Sequence, residues 1–241
     1  MRVAQITLRN ASEYEKKCRR VDRAALAAEH EIVENERDAD IVHVYGSGVR
    51  RPRRRFSIAA AWPPHSITPL KDGHGTFVPE AVEEQYFAQT ASAAIAIGVF
   101  VRPSAGELLE QTRFRLHRTR DDVDWRLFDR VPTPDDFAQV SVWLDSAVAD
   151  DDFDGFVAEA LAMGRIVVAS RTPINVQRLE KGRTGFLVRP DANEMTHAIL
   201  AALFKPEIGR PRSEAARQTV SKFKPRQRAR ALTELYERLR P

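Results

Sequence analysis

Apolar residues in this chain come in short blocks separated by charged stretches of helical length. The first block, VAQITL from Val3 to Leu8, mixes β-branched and other apolar residues and predicts a buried strand. Ser12 then stands where a helix cap belongs, ahead of a charged stretch predicted to be helical to about Glu31. DADIVHVYG, bounded by Asp38, Asp40 and Gly46, reads as a second strand. FSIAAAW, stopped by Pro63 and Pro64, is a third, and ASAAIAIGVFV, stopped by Pro103, a fourth. Residues 63–80 carry four prolines and two glycines and predict an irregular loop on the active face, followed by a short helix near Val82 to Gln89.

The second half alternates more regularly. A helix near Ala105 to Leu116 precedes the strand WRLFDRV, a helix opened by Thr133 and Pro134 precedes the strand VSVWLDS, and the helix DGFVAEALAM precedes the strand RIVVAS. Such alternation predicts a parallel sheet with crossover helices, and strands this uniformly apolar are covered on both faces. GRTGFLVRP predicts a short strand entered through a glycine turn, Asp191 caps a helix to about Phe204, and Ser213 to Leu239 predicts two charged amphipathic helices broken at Pro225.

Composition narrows the picture. The chain has 241 residues, 43% hydrophobic and 30% charged, and no apolar run approaches the roughly 18 to 20 residues that crossing a bilayer needs. The opening MRVAQITLRN lacks a signal-peptide pattern, so a cytoplasmic protein is expected. Cys18, the single cysteine, sits in KKCRR with no partner for a disulfide or a zinc site and is expected to be a solvated bystander. The 38 basic and 34 acidic residues leave a net charge of only +4, but they are unevenly spread. Arg50, Arg51, Arg53, Arg54 and Arg55 cluster between two predicted strands, the C-terminal segment is basic, and acids gather over residues 120–154. The arginine loop is a solvated loop or a contact for anionic lipid headgroups at the membrane inner face or for a phosphate-bearing acceptor. Nucleic acid is disfavoured, because no recognition helix or aromatic-interleaved patch accompanies it.

The chemistry concentrates where VSVWLDS runs into DDDFDGFVAEALAMG. In an open α/β sheet, ligands gather at the carboxyl ends of strands, where loops enter helices. Amides at the start of this helix, at Gly155 and Phe156, suit an anionic oxygen, and Glu159 in its first turn suits sugar hydroxyls. Together they suit a nucleotide, with phosphates on the amides and ribose on the acid. Asp150, Asp152, Asp154 and Gly155 match the opening of a calcium loop, but the twelfth position is Leu161 where a bidentate Glu is needed. A magnesium or manganese ion on Asp150, Asp152 and Asp154 that grips a diphosphate is one alternative, and a solvated, helix-capping loop is another.

The stretch FDGFVAEALAMGRIVVASRTPINVQRLEKGRTGFLVRPDANEMTHAILAALF resembles the C-terminal domain of family 4 (group 1) glycosyltransferases of the GT-B fold, well from about Val140 to Phe204 and more weakly back to Ile95. The resemblance implies two Rossmann-like parallel-sheet domains with an interdomain cleft: a reduced N-terminal domain over residues 1–90 and a nucleotide-sugar-binding domain over 91–241. The last helix, about 226–240, crosses back to the first domain. It implies a retaining transferase that moves a sugar from a nucleotide-diphospho-sugar to an acceptor hydroxyl, lipid-linked or on a glycan, with no required cofactor and no metal. Glu159 matches the family's ribose-binding acid, Asp151 the acid at the transferred sugar, and His65 or His74 a histidine near that sugar. Arg102 matches the first of a basic pair at the diphosphate. Arg171 and Thr172 fall in the turn from Ser170 to Ile174, which matches a second phosphate-facing segment. The sequence departs from the pattern where Asp152 and Asp154 replace glycines, where PSAGE follows Arg102 without the second basic residue, and where Arg9, Asn10, Ala11 and Ser12 replace a glycine-rich loop. Those departures favour an alternative, a non-catalytic GT-B-like binding or scaffold protein. An anionic-surface binder acting through Arg50 to Arg55 is the other.

Overall fold

The computed structural model describes residues 1–7, 13–45, 57–60, 66–69, 76–77, 82–87, 95–148 and 155–239. In chain order the elements are β1 (Arg2–Thr7), α1 (Glu13–Leu26), β2 (Glu31–Val33), β3 (Ile41–Tyr45), β4 (Ser57–Ala60), β5 (Ser66–Pro69), β6 (Thr76–Phe77), β7 (Ala96–Phe100), α2 (Gly106–Thr119), β8 (Asp124–Phe128), α3 (Pro134–Ala138), β9 (Val142–Asp145), α4 (Val157–Ala162), β10 (Ile166–Ser170), α5 (Pro173–Arg178), β11 (Phe186–Val188), α6 (Ala192–Phe204), α7 (Pro206–Thr219) and α8 (Pro225–Leu239). Two compact α/β units result, each built on its own sheet: Met1–Glu83 together with the segment from Lys222 onward, and Glu84–Ser221.

In the first unit the strand order is β2-β1-β3-β4-β5-β6. β2, β1, β3 and β4 pair in parallel. β5 and β6 then extend the sheet antiparallel, so the proline-rich stretch expected to be an irregular loop supplies two short strands instead. Parallel neighbours need a crossover of about a dozen residues or more, and the close spacing of these strands leaves only the antiparallel pairing. Because side chains alternate across a strand, Val3 and Ile41 face one layer while Ala4, Val42 and Val44 face the other. The first layer is closed by α8, whose Ala229, Leu232, Leu235 and Tyr236 pack on Val3, Leu26 and Ile41. Cys18 is not solvated but buried, since it shares an α1 face with Val21 and Leu26 at helical spacing.

Under α8 lies a buried polar network. Arg228 grips Asp22 with two nitrogens, Nε on Oδ1 and Nη2 on Oδ2, and neither residue is more than 1% exposed. Tyr45 donates to the same Asp22 Oδ2 at 2.7 Å and receives Gln5 Nε2 at 3.2 Å, while His43 Nδ1 shares a 2.7 Å hydrogen bond with the Tyr236 hydroxyl. His43 also stacks on Tyr45, with ring centroids 4.3 Å apart. Burial pulls the His43 pKa down to about 4, with Arg228 acting in the same direction and Asp22 opposing. Strands β1 and β3 and helices α1 and α8 are thus joined by polar as well as apolar contacts.

The second unit carries a wholly parallel sheet in the order β11-β10-β9-β7-β8. One face packs Ile97, Val99, Val142, Leu144 and Val168 against Leu109 and Leu116 of α2 and Met195 and Ile199 of α6. The other is organised around Trp143, whose ring lies 4.5 Å from Phe137 of α3 and 5.7 Å from Phe128, centroid to centroid. Gly98 pairs with Trp143 across the sheet, and a Cβ there would lie 2.6 Å from the indole. Helix starts follow the sequence: Asp191 accepts from Asn193 and Glu194 amides, and Thr133 and Asp136 form a reciprocal capping box.

Two outcomes are expected. Asp22→Ala, which leaves the Arg228 cation buried without its anion, should lower the free energy of urea unfolding by about 3 to 5 kcal/mol. His43 is held neutral in the native state while an unfolded chain protonates it near pH 6.5, so its contribution is present above that pH and is lost as pH falls toward 4. The loss should approach about 3 kcal/mol. Thermal melts of His43→Gln should show a shallower decline than the parent across that window.

Candidate functional site

Numbered by appearance, the strands of the second unit run 2-1-3-4-5 across the sheet. The chain leaves β7 toward β8 on one side and later returns to β9 on the other. The loops that follow β7 and β9 therefore diverge, and the crevice between them at the carboxyl edge is where open α/β sheets hold ligands. Two charged side chains meet there. Arg102, two residues beyond β7, places Nη1 2.8 Å from Oδ1 of Asp145, the last residue of β9. Their side chains are 6% and 2% exposed.

Neighbouring strand ends complete the cluster. Asn175 of α5 donates Nδ2 to Asp145 Oδ2 at 2.6 Å and to the Ser170 carbonyl at 3.1 Å. Gly155 is held by its carbonyl, which accepts from Trp143 Nε1 at 2.6 Å, and a Cβ on it would lie 2.5 Å from both Arg102 Nη2 and Asp145 Oδ1. Only glycine fits that close approach. Phe156, next in the chain, is locked at φ 51 and ψ 31 and packs edge-on to Phe100 at 5.0 Å. A left-handed aromatic residue is strained, and such strain persists where surrounding contacts over-determine it. Within the cluster Arg102 Nε and Nη2, Ser170 Oγ and Asn175 Oδ1 are buried without a hydrogen-bond partner among the described residues. Buried polar groups are ordinarily paired, so these atoms are exceptions to the rule.

The residues singled out in the sequence distribute as follows. Arg102, Gly155, Phe156 and Thr172 lie at this edge of the sheet. The Thr172 hydroxyl is occupied locally, accepting the Asn175 amide at 3.3 Å as the cap of α5. Arg171 is exposed beside it. Glu159 is the third residue of α4, a helix buried on every side, and is itself 2% exposed. Asp150 to Asp154, with Asp151 among them, and His65, His74 and Arg50 to Arg55 lie outside the described residues. Asp145, Ser170 and Asn175 were not singled out as ligands, although Asp145, an acid ending an otherwise apolar strand, was the signal that could have found the first. Among the described residues no group of three or more His, Cys, Asp and Glu is placed to hold a metal ion, and no helix is long and apolar enough to cross a membrane. A separate cavity of about 580 Å³ lies between α2 and α6, lined by Gln111, Phe114, Arg115, Arg118 and His197 among others.

Comparison with known proteins agrees with this architecture. Residues 124–204 match the family model described as glycosyl transferases group 1, which spans β8 to the end of α6. No curated protein sequence matches the chain. Among solved structures, a glycosyltransferase from Rickettsia africae is similar with a TM-score of 0.70 at 13% identity, covering 99% of this chain and 98% of its own. HepE from Anabaena, solved in complex with UDP, is similar with a TM-score of 0.68 at 13% identity over 99% of this chain and 100% of its own. AviGT4, a glycosyltransferase involved in avilamycin A biosynthesis, reaches 0.64 at 14% identity over 99% and 98%. The fold is that of the GT-B glycosyltransferases.

Gly155→Ala should test how tightly the cluster is closed. With a methyl group forced against Arg102 and Asp145, the unfolding free energy in urea is expected to fall by about 1 to 3 kcal/mol.

Proposed function

We propose that the protein transfers a glycosyl unit from a nucleotide-diphospho-sugar to an acceptor hydroxyl, with retention at the anomeric carbon. The observation that carries this reading is the buried Arg102 at the β7–β9 switch point, with Nε and Nη2 unpartnered among the described residues, in a sheet whose β8, β9, β10 and β11 fall within the group 1 match. A planar guanidinium there is suited to bidentate phosphate contact. Further support comes from HepE, which was solved with UDP and with UDP-glucose and whose entire chain is covered by this one. A first unit as short as this one is therefore compatible with nucleotide binding in a structural neighbour.

In this reading the acceptor oxygen bonds to the anomeric carbon while that carbon's bond to the diphosphate breaks, the electron pair leaves with the diphosphate, and the acceptor's hydroxyl proton passes to the departing diphosphate oxygen. Arg102 and Arg171 would stabilise the departing charge, the effect that usually dominates catalysis of this kind. Glu159 would hold the ribose and Asp151 the transferred sugar, with His65 beside it, as the resemblance implies. A metal ion on Asp150, Asp152 and Asp154 is not required by the reading. The acceptor is a lipid-linked or glycan hydroxyl, and Arg50 to Arg55 would bring the protein to an anionic membrane face.

One observation favours a second reading, a non-catalytic binding protein: Arg102 already has a carboxylate beside it. Thermal shift against a panel of nucleoside diphosphates separates the two. A ligand at a hundred times its dissociation constant adds about 2.7 kcal/mol of stability, so a rise in Tm with at least one of them is expected. Arg102→Ala and Glu159→Gln should each weaken that ligand at least tenfold by calorimetric titration. No shift with any nucleotide would leave the scaffold reading in place.

A further inference from the structure

The Arg102–Asp145 pair has a consequence for which ligands the site accepts, and the inference rests on the donor-binding reading above. A guanidinium that is 6% exposed cannot sit without an anion, since an isolated buried charge is too costly. Asp145 is that anion. Its carboxylate is held from two sides: Oδ1 is ion-paired with Arg102 Nη1 at 2.8 Å, without a hydrogen bond, and Oδ2 accepts from Asn175 Nδ2 at 2.6 Å. Arg102 is not fully committed, because one nitrogen faces Asp145 while Nε and Nη2 find no hydrogen-bond acceptor among the described residues. The same arginine thus has one edge neutralised from within and further donors, buried in this structure, that lack an acceptor among the described residues.

We propose that Asp145 is a specificity-determining residue which sets how much negative charge the donor site tolerates. Held within a few ångströms of any phosphate on Arg102, its carboxylate penalises a ligand in proportion to the charge that ligand brings. A nucleotide-diphospho-sugar carries its diphosphate as a diester, whereas the nucleoside diphosphate left after transfer bears a terminal phosphate with a further ionisable oxygen. The more highly charged product is therefore disfavoured relative to the donor, and Asp145 promotes its release. Asn175 is the positioning residue that keeps the carboxylate from swinging away.

Calorimetric titration of UDP, GDP, ADP and UDP-glucose into the parent and Asp145→Asn proteins, at low and high salt, tests this. The asparagine keeps a carbonyl oxygen for Arg102 and removes the charge. The expected result is that the nucleoside diphosphate bound by the parent binds Asp145→Asn at least tenfold more tightly, with a steeper loss of affinity on adding salt. UDP-glucose, if it is a ligand, should gain less. Parent binding with affinities and salt slopes unchanged within twofold in the variant overturns the assignment of Asp145 and leaves the donor reading intact. Binding of no nucleotide to either protein overturns both. Should Asp145→Asn fail to fold, the neutral pair Arg102→Gln/Asp145→Asn buries no lone charge. That double variant is compared with Arg102→Gln alone: it is expected to bind the nucleoside diphosphate at least tenfold more tightly than Arg102→Gln does, and equal affinity of the two overturns the proposal.

Discussion

A buried guanidinium demands a counter-charge, and in this protein that demand organises the carboxyl edge of the second sheet. Arg102 can occupy the switch point only because Asp145 ends the adjoining strand, because Asn175 fixes the Asp145 carboxylate, and because residue 155 has no side chain to intrude. Four separate elements therefore answer to one electrostatic constraint. The strain at Phe156 belongs with it: the chain must pass close over the ion pair at Gly155 and then turn at once into α4. Loop chemistry, strand register and helix entry are consequences of the same desolvated charge.

The first unit solves a similar problem differently. Asp22 and Arg228 are as deeply buried as any pair in the chain, but Tyr45, Gln5, His43 and Tyr236 surround them with donors and acceptors from two strands and two helices. A bidentate pair completed by neutral hydrogen bonds has structural character. The pair in the second unit has fewer partners among the described residues and sits at the carboxyl end of its strands.

Much of the architecture was legible because the second unit obeys simple rules. Its strands are uniformly apolar, its helices begin at Thr133, Thr172 and Asp191, and connections that each carry a helix suit the crossovers of a parallel sheet. The first unit was harder to read. The strands Ser66–Pro69 and Thr76–Phe77 are too short to show a period and contain or adjoin proline, so they resemble loop. Cys18 was misjudged because its immediate neighbours are charged, while the residues that decide its burial, Val21 and Leu26, lie one and two turns away. Of the cluster, Arg102 was singled out through resemblance to a family pattern and Gly155 through its place ahead of a helix, whereas Asp145 was not singled out and only the strand order reveals that it faces Arg102. Asn175 lay one residue beyond the turn from Ser170 to Ile174 that was singled out, and its side chain became meaningful only once its bond to Asp145 joined α5 to β9.

The return of α8 to the first unit has an implication for biosynthesis. The apolar layer over Val3, Leu26 and Ile41 is finished by Leu232, Leu235 and Tyr236, and the Asp22 carboxylate finds its cation only at Arg228. As the polypeptide emerges from the ribosome, the first unit is born with half of its core absent and an acid awaiting its partner, whereas Glu84–Ser221 holds all of its own strands and can collapse earlier. The amino-terminal segment is thus the later of the two to complete its core.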